Sequence, residues 1–125
     1  MPASLGPVLI VEDDAAVRDS LKFVLEVEGL QVRAYADPLA LLNEEVLPSD
    51  GCLVVDQYLP FFDGIELVLR LRARSIHLPV ILITVDASSY VRQRASRCGV
   101  RLVFEKPVDG DALVASIMDA LTRRA

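Results

Sequence analysis

Five short apolar runs, each followed by a segment of helical spacing, constrain this chain more than any other feature of its sequence. Val8-Leu9-Ile10-Val11, Leu53-Val54-Val55 and Val80-Ile81-Leu82-Ile83 have no polar alternation, so each reads as a strand covered on both faces. Arg101-Leu102-Val103-Phe104 reads as a fifth strand. Leu30, Val32 and Ala34 instead alternate with Gln31, Arg33 and Tyr35, which places that strand at a sheet edge. Strands that alternate with helices imply a parallel sheet, helices on both of its faces and right-handed crossovers. With the second strand at an edge, the expected architecture is an α/β doubly wound five-stranded parallel sheet of order 2-1-3-4-5.

The helical segments carry their own stop and start signals. Val17, Leu21, Val24 and Leu25 give the first helix an apolar face, and Gly29 ends it as a left-handed cap. Asp37-Pro38 is an N-cap followed by proline at the first helical position. A second helix of about ten residues is expected from there to the turn Pro48-Ser49-Asp50-Gly51. Asp63-Gly64 opens the third, with Ile65, Val68, Leu69 and Leu71. Val91, Ala95 and Cys98 face the core in the fourth, closed by Gly99, while Arg92, Arg94 and Arg97 are expected to be exposed. Asp109 caps the last, whose inner face is Leu113, Ile117, Ala120 and Leu121.

Length and composition exclude several classes. The 125 residues suit a single domain, 1–125, with an ordered core of 7–122. A hydrophobic fraction of 53% with 25% charged residues supports a core and argues against disorder. The longest mostly apolar run, Val80 to Val85, is far too short to span a membrane, and the first residues lack a secretion signal, so the chain reads as cytoplasmic. Cys52 and Cys98 occupy apolar pattern positions and read as reduced core thiols. No Cys/His cluster has zinc spacing, and His77 lies in a surface loop. A net charge of −5 gives no reason to expect nucleic-acid binding.

The chemistry gathers at strand ends. Ligands of such sheets bind beyond the carboxyl ends of the strands at the topological switch, here between strands one and three. Glu12-Asp13 ends the first strand and Asp56 the third, so these acids should share one crevice. Carboxylates brought together there repel, and either a divalent cation or a basic side chain relieves them. Oxygen ligands without His or Cys suit Mg²⁺. Lys106, at the end of strand five, can reach Asp56, and Thr84, at the end of strand four, offers a hydroxyl. Such a group is a site for phosphoryl oxygens, with Asp56 as the nucleophile that becomes an aspartyl phosphate.

In this order and at these strand ends, Glu12-Asp13, Asp56 with Leu59-Pro60 and Asp63-Gly64, Thr84, and Lys106-Pro107 resemble the response regulator receiver domain of two-component signalling, from Val8 to about Leu121. The resemblance implies a flavodoxin-like fold and a phosphorylation-dependent switch. By it, Asp56 accepts a phosphoryl group from a histidine kinase or phosphotransfer protein. Asp13, Asp56 and the backbone carbonyl of Tyr58 ligate Mg²⁺, and Glu12 acts through metal-bound water. Thr84 and Lys106 hold phosphoryl oxygens, and Lys106-Pro107 is a cis peptide. Tyr58 and Asp86 sit where the family tunes attacking water. The face of helix four, strand five and helix five carries partners or a homodimer, with Tyr90, Arg94, Arg101 and Asp109 as contributors; the alternative is a solvated charged face. Asp14, just past the acidic pair, reads as a helix-start residue.

Two positions depart from the family pattern. Val85 follows Thr84 where the family carries a small residue, and Val103 stands where it carries the switching aromatic. Phe104 is next to it, but strand alternation points it to the other face, as a core or interface residue. These departures favour an alternative, a receiver-like protein-interaction module that works without phosphorylation. A Mg²⁺-dependent phosphatase is disfavoured, because Tyr58 stands where such enzymes place a second Asp as general acid. Thr122-Arg123-Arg124-Ala125 reads either as a natural end or as the start of a linker.

Overall fold

The apolar runs become the strands that the pattern demands, in a computed structural model that describes residues 5–122. The expectations for Met1–Ser4 and Arg123–Ala125 lie outside the described residues. Strands β1 (Val8–Val11), β3 (Cys52–Asp56) and β4 (Val80–Thr84) are buried at every position. Strands β2 (Val32–Tyr35) and β5 (Leu102–Glu105) are only partly covered. The difference follows from place, because the sheet order is β2-β1-β3-β4-β5 and the last two are its edges. All four pairings are parallel, as strand–helix alternation requires.

Five helices cover the sheet: α1 (Ala15–Val27), α2 (Pro38–Leu42), α3 (Gly64–Ala73), α4 (Ser89–Arg97) and α5 (Gly110–Thr122). Strand alternation divides the core in two. Leu9, Val11, Leu53, Val55, Val80 and Leu82 point to α2, α3 and α4, while Val8, Ile10, Cys52, Val54, Ile81 and Ile83 point to α1 and α5. Val103 packs on the first side and Phe104 on the second. The caps sit where the sequence marks them. Asp14, Asp37, Asp63 and Asp109 each accept a bond from the first turn of the following helix. Gly29 and Gly99 follow α1 and α4 with φ of +87° and +83°.

Three expectations need correction. Helix α2 has five residues, half the expected length. Leu41 and Leu42 fill the space against the core, Asn43 caps the helix, and Glu44, Glu45 and Val46 meet water. Leu47 precedes Pro48, which bars the α conformation there, yet its side chain still packs on the core. On α1 only Leu25 is buried, and Val17 and Val24 remain 40% exposed. They line an open groove of about 720 Å³ between α1 and α5. On α4, Arg92 and Arg97 are exposed but Arg94 is half-buried and paired with Asp63 at 3.3 Å. His77 is exposed, and Cys52 and Cys98 are buried and unpaired.

Arg72 has a part that periodicity alone does not show. Its guanidinium donates to the carbonyls of Leu78 (3.0 Å), Ile76 (3.2 Å) and Cys98 (3.3 Å), tying the α3–β4 loop to the end of α4. Burial lowers its pKa, but no carboxylate is needed to keep it there, because the carbonyls replace its hydration.

Two predictions follow from this packing. Replacing Arg72 by Ala leaves four carbonyls, those of Ile76, Leu78, Cys98 and Gly99, without this donor and should lower the unfolding free energy by about 1–3 kcal/mol in denaturant titrations. Arg72→Lys should restore only part, because an ammonium cannot span the same fork of acceptors. Burial pushes the Cys52 thiol up to about 12 and also raises that of Cys98. Neither should react with a thiol reagent in mildly alkaline buffer, and both should react in guanidinium, as counted by absorbance of the released thiolate.

Candidate functional site

Strand register builds the site. Val11 pairs with Val55, so the next residues, Glu12 and Asp56, leave the ends of β1 and β3 side by side. Alternation sends both toward the α1–α5 side. Both are buried, with 4% and 7% of their surface exposed, while Asp13 is exposed. One carboxylate oxygen from each of Glu12, Asp13 and Asp56 lies within 4.8 Å of the others. At the far side, the Lys106 amide bonds the Thr84 carbonyl at 2.8 Å, which continues the β4–β5 ladder by one residue. Its Nζ then donates to Asp56 Oδ2 at 3.1 Å and to Glu12 Oε1 at 3.2 Å. The Lys106–Pro107 peptide is cis.

The electrostatics follow from this arrangement. Burial raises the Glu12 pKa, the Asp14 amide (3.1 Å from Oε2) pulls it back, and the charge of Asp56 raises it again. Burial alone would lower Lys106, but the bond and charge of Asp56 and the charge of Glu12 outweigh it, and its pKa is raised. Lys106 is therefore a secure cation. Three carboxylates against one ammonium give the group a formal charge of −2. An oxygen-only donor set with that residual charge fits a hard divalent cation such as Mg²⁺.

Of the residues singled out in the sequence, Glu12, Asp13, Asp56 and Lys106 come together, while the Thr84 hydroxyl bonds the Asp86 backbone. By alternation Thr84 belongs to the α2–α3–α4 side. It is fully buried, and its Oγ1 is engaged by the Asp86 backbone, accepting from the amide at 3.1 Å and lying 3.3 Å from the carbonyl. Asp14 serves α1 as N-cap and contributes no carboxylate oxygen to the cluster. Tyr58 lies in the β3–α3 loop and is 49% exposed. Val85 is 62% exposed beside the site.

Gln57 is the neighbour that sequence reasoning missed. It is 2% exposed. Its Oε1 accepts from the Ile65 amide at 3.0 Å and its Nε2 donates to Asp63 Oδ2 at 3.1 Å. Its backbone carbonyl accepts from the Gly64 amide at 2.9 Å. Gly64 needs to be glycine, because a Cβ would stand 2.6 Å from the Asp56 carbonyl oxygen. The phosphoacceptor candidate is thus clamped from behind by the start of α3. A polar residue directly after a buried strand was the available signal.

On the face of α4, β5 and α5, all four candidate contact residues have partners within the chain, since the Arg94 guanidinium lies 5.7 Å from the centre of the Tyr90 ring. Arg94 pairs with Asp63, Arg101 with Asp119 at 3.1 Å, and Asp109 caps α5. Tyr90 is 67% exposed.

The response regulator receiver domain family matches residues 8–118. The transcriptional regulatory protein FixJ of Azorhizobium caulinodans is 38% identical over 125 residues, all of this chain and 59% of that protein. Full-length FixJ from B. japonicum has a solved structure that superposes with a TM-score of 0.85 at 34% identity, over 95% of this chain and 59% of that one. A CheY-like receiver domain protein from Methanospirillum hungatei superposes with a TM-score of 0.83 at 30% identity, over 94% of both chains. The chain therefore spans less than two thirds of the FixJ proteins it matches. Among the described residues no helix is long and apolar enough to cross a membrane. With a family match over residues 8–118 and this sheet order, the chain belongs to the response regulator receiver domains of two-component signalling.

Proposed function

We propose that the domain is a cytoplasmic, phosphorylation-dependent switch whose Asp56 accepts a phosphoryl group from a histidine kinase or phosphotransfer protein in a Mg²⁺-dependent reaction. The observation that carries this reading is the carboxylate cluster with Lys106 Nζ bonded to both Glu12 and Asp56. An Asp56 oxygen attacks phosphorus, the P–N bond of the donor breaks, and the departing imidazole nitrogen keeps the electron pair. Lys106 orients the Asp56 carboxylate before transfer and offsets phosphoryl charge after it. Asp13, Asp56 and the Tyr58 carbonyl would hold the cation, and Glu12 would act on it from the outer shell. Bound there, the cation supplies charge neutralisation for the incoming phosphoryl oxygens. Thr84 meets a phosphoryl oxygen by turning its hydroxyl away from Asp86. The domain hydrolyses its own phosphate slowly at most, and its output is regulatory.

A second reading draws support from Val85 and Val103. An exposed valine beside Thr84, and no aromatic at position 103, suit an interaction module that works without phosphate.

Intact mass after incubation with acetyl phosphate and Mg²⁺ separates the two. The wild type should gain one phosphoryl group and Asp56→Asn none, with circular dichroism unchanged. An unlabelled wild type supports the module, and a labelled Asp56→Asn points to another acceptor. Mg²⁺ should also raise the unfolding midpoint, by about 2.7 kcal/mol of stability at a concentration one hundred times its dissociation constant. Asp13→Asn should remove most of that rise in a thermal melt.

A further inference from the structure

The turn that follows the phosphoacceptor holds an aromatic residue where backbone sterics favour glycine. Phe61 has a φ of +74°, and the Phe62 amide bonds the Pro60 carbonyl at 2.9 Å across it. That two-residue span is a γ-turn of the rare, strained hand. A bulky side chain in this region is a genuine outlier, and such strain persists where the surroundings or the function require it.

The fold gives no reason for the ring. Phe61 is 72% exposed and packs on neither half of the core. Its neighbour makes the contrast: Phe62 packs on the α2–α3–α4 core and lies beneath the Arg70 guanidinium, 4.0 Å from the ring centre. Glycine at position 61 would relieve the backbone and cost no packing.

Its place supplies the reason. The loop leaves β3 at Asp56 and closes at its base where the Gly64 amide bonds the Gln57 carbonyl. Phe61 is therefore at the tip of a short loop rooted on Asp56. Tyr58 of the same loop is 49% exposed, and Val85, from the loop after the adjacent β4, is 62% exposed. Three apolar side chains thus lie on the loops that flank the carboxylate mouth, with the exposed acids Asp13, Asp14 and Asp86 also on these strand-end segments. A protein that brings a phosphoryl group to Asp56 lays down a footprint of about 800 Å², a patch roughly 30 Å across centred on that mouth. It must cover these residues.

Resting on the function proposed above, we propose that Phe61 is a docking residue for the phosphodonor protein. The partner surface it fits is apolar immediately around the phosphohistidine and basic beyond, complementary to the apolar side chains and the acids. An exposed aromatic anchor of this kind is the type of residue that dominates interface energy.

The test compares Phe61→Gly with the wild type in three measurements. Phe61→Gly should raise the unfolding midpoint in denaturant, because strain is lost and no packing is. Acetyl phosphate with Mg²⁺ should label Asp56 at the wild-type rate. Phosphotransfer is then profiled from the autophosphorylated catalytic cores of the histidine kinases of the source organism. From the core that serves the wild type fastest, kcat/KM should fall about tenfold or more. Phe61→Ala, which keeps the strain but loses the ring, should show the same kinetic loss without the gain in stability. A wild-type transfer rate in Phe61→Gly, or a lowered midpoint, overturns the proposal. Acetyl phosphate labelling with transfer from no core overturns it while leaving the function itself standing. Failure of acetyl phosphate to label the wild type removes both.

Discussion

Glu12 and Asp56 are forced together by the register of β1 against β3, and Lys106 is what makes that register tolerable. Even at 4.8 Å, the outer limit of their separation, two like charges would repel by about 3–4 kcal/mol at an effective dielectric near 20. The lysine offsets that repulsion for both acids, since one Nζ bonds both carboxylates. It does so from the end of the sheet's edge strand, so the arrangement depends on all five strands being in order. Misplacing β5 by one position would leave two buried carboxylates without their cation. The formal charge that Lys106 does not cancel, −2 with Asp13 included, makes the crevice chemically suited to a hard cation.

The strands and the strand-end acids were legible because each rests on a local pattern. A run of four or five apolar residues with no alternation has few folded solutions, and a carboxylate directly after it has one position in a parallel sheet. The edge position of β2 was legible for the same reason, through Gln31, Arg33 and Tyr35. What the sequence hid depends on contacts between elements. Helix α2 stops at Leu42 because the space against the core is filled, which no window of residues around it records. Arg72 has the ordinary spacing of a solvent-facing arginine, yet its acceptors are carbonyls in the α3–β4 loop and at the end of α4. Arg94 looked equally exposed until Asp63 was beside it.

The turn at Phe61 was hidden in a different way. Positive φ is ordinarily announced by glycine or asparagine, and Pro60-Phe61-Phe62 contains neither. The turn is imposed from outside, by Phe62 reaching the core and by Asp63 and Gly64 fixing the start of α3 against Gln57. The Thr84 side chain belongs to the same class. The sequence gives the hydroxyl its strand end, but the rotamer that turns it to the Asp86 backbone is decided by the β4–α4 loop.

The two sides of the site differ in stiffness, and the difference bears on how a change at Asp56 would travel. Behind it, Gln57 is buried and bonds both the Ile65 amide and the Asp63 carboxylate, so the end of β3 and the start of α3 move as one body. Asp63 Oδ2 also receives Arg94 of α4, but both side chains of that ion pair are about 30% exposed. Partly solvated pairs contribute little, so the link from this body to α4 is the soft one. Elsewhere α4 is held by the core through Val91, Ala95 and Cys98 and by Arg72 of α3, which donates to the Cys98 carbonyl at 3.3 Å. A phosphoryl group at Asp56 would thus meet a rigid floor on the α3 side, and the Arg94–Asp63 pair is the contact toward α4 that would yield at the least energetic cost.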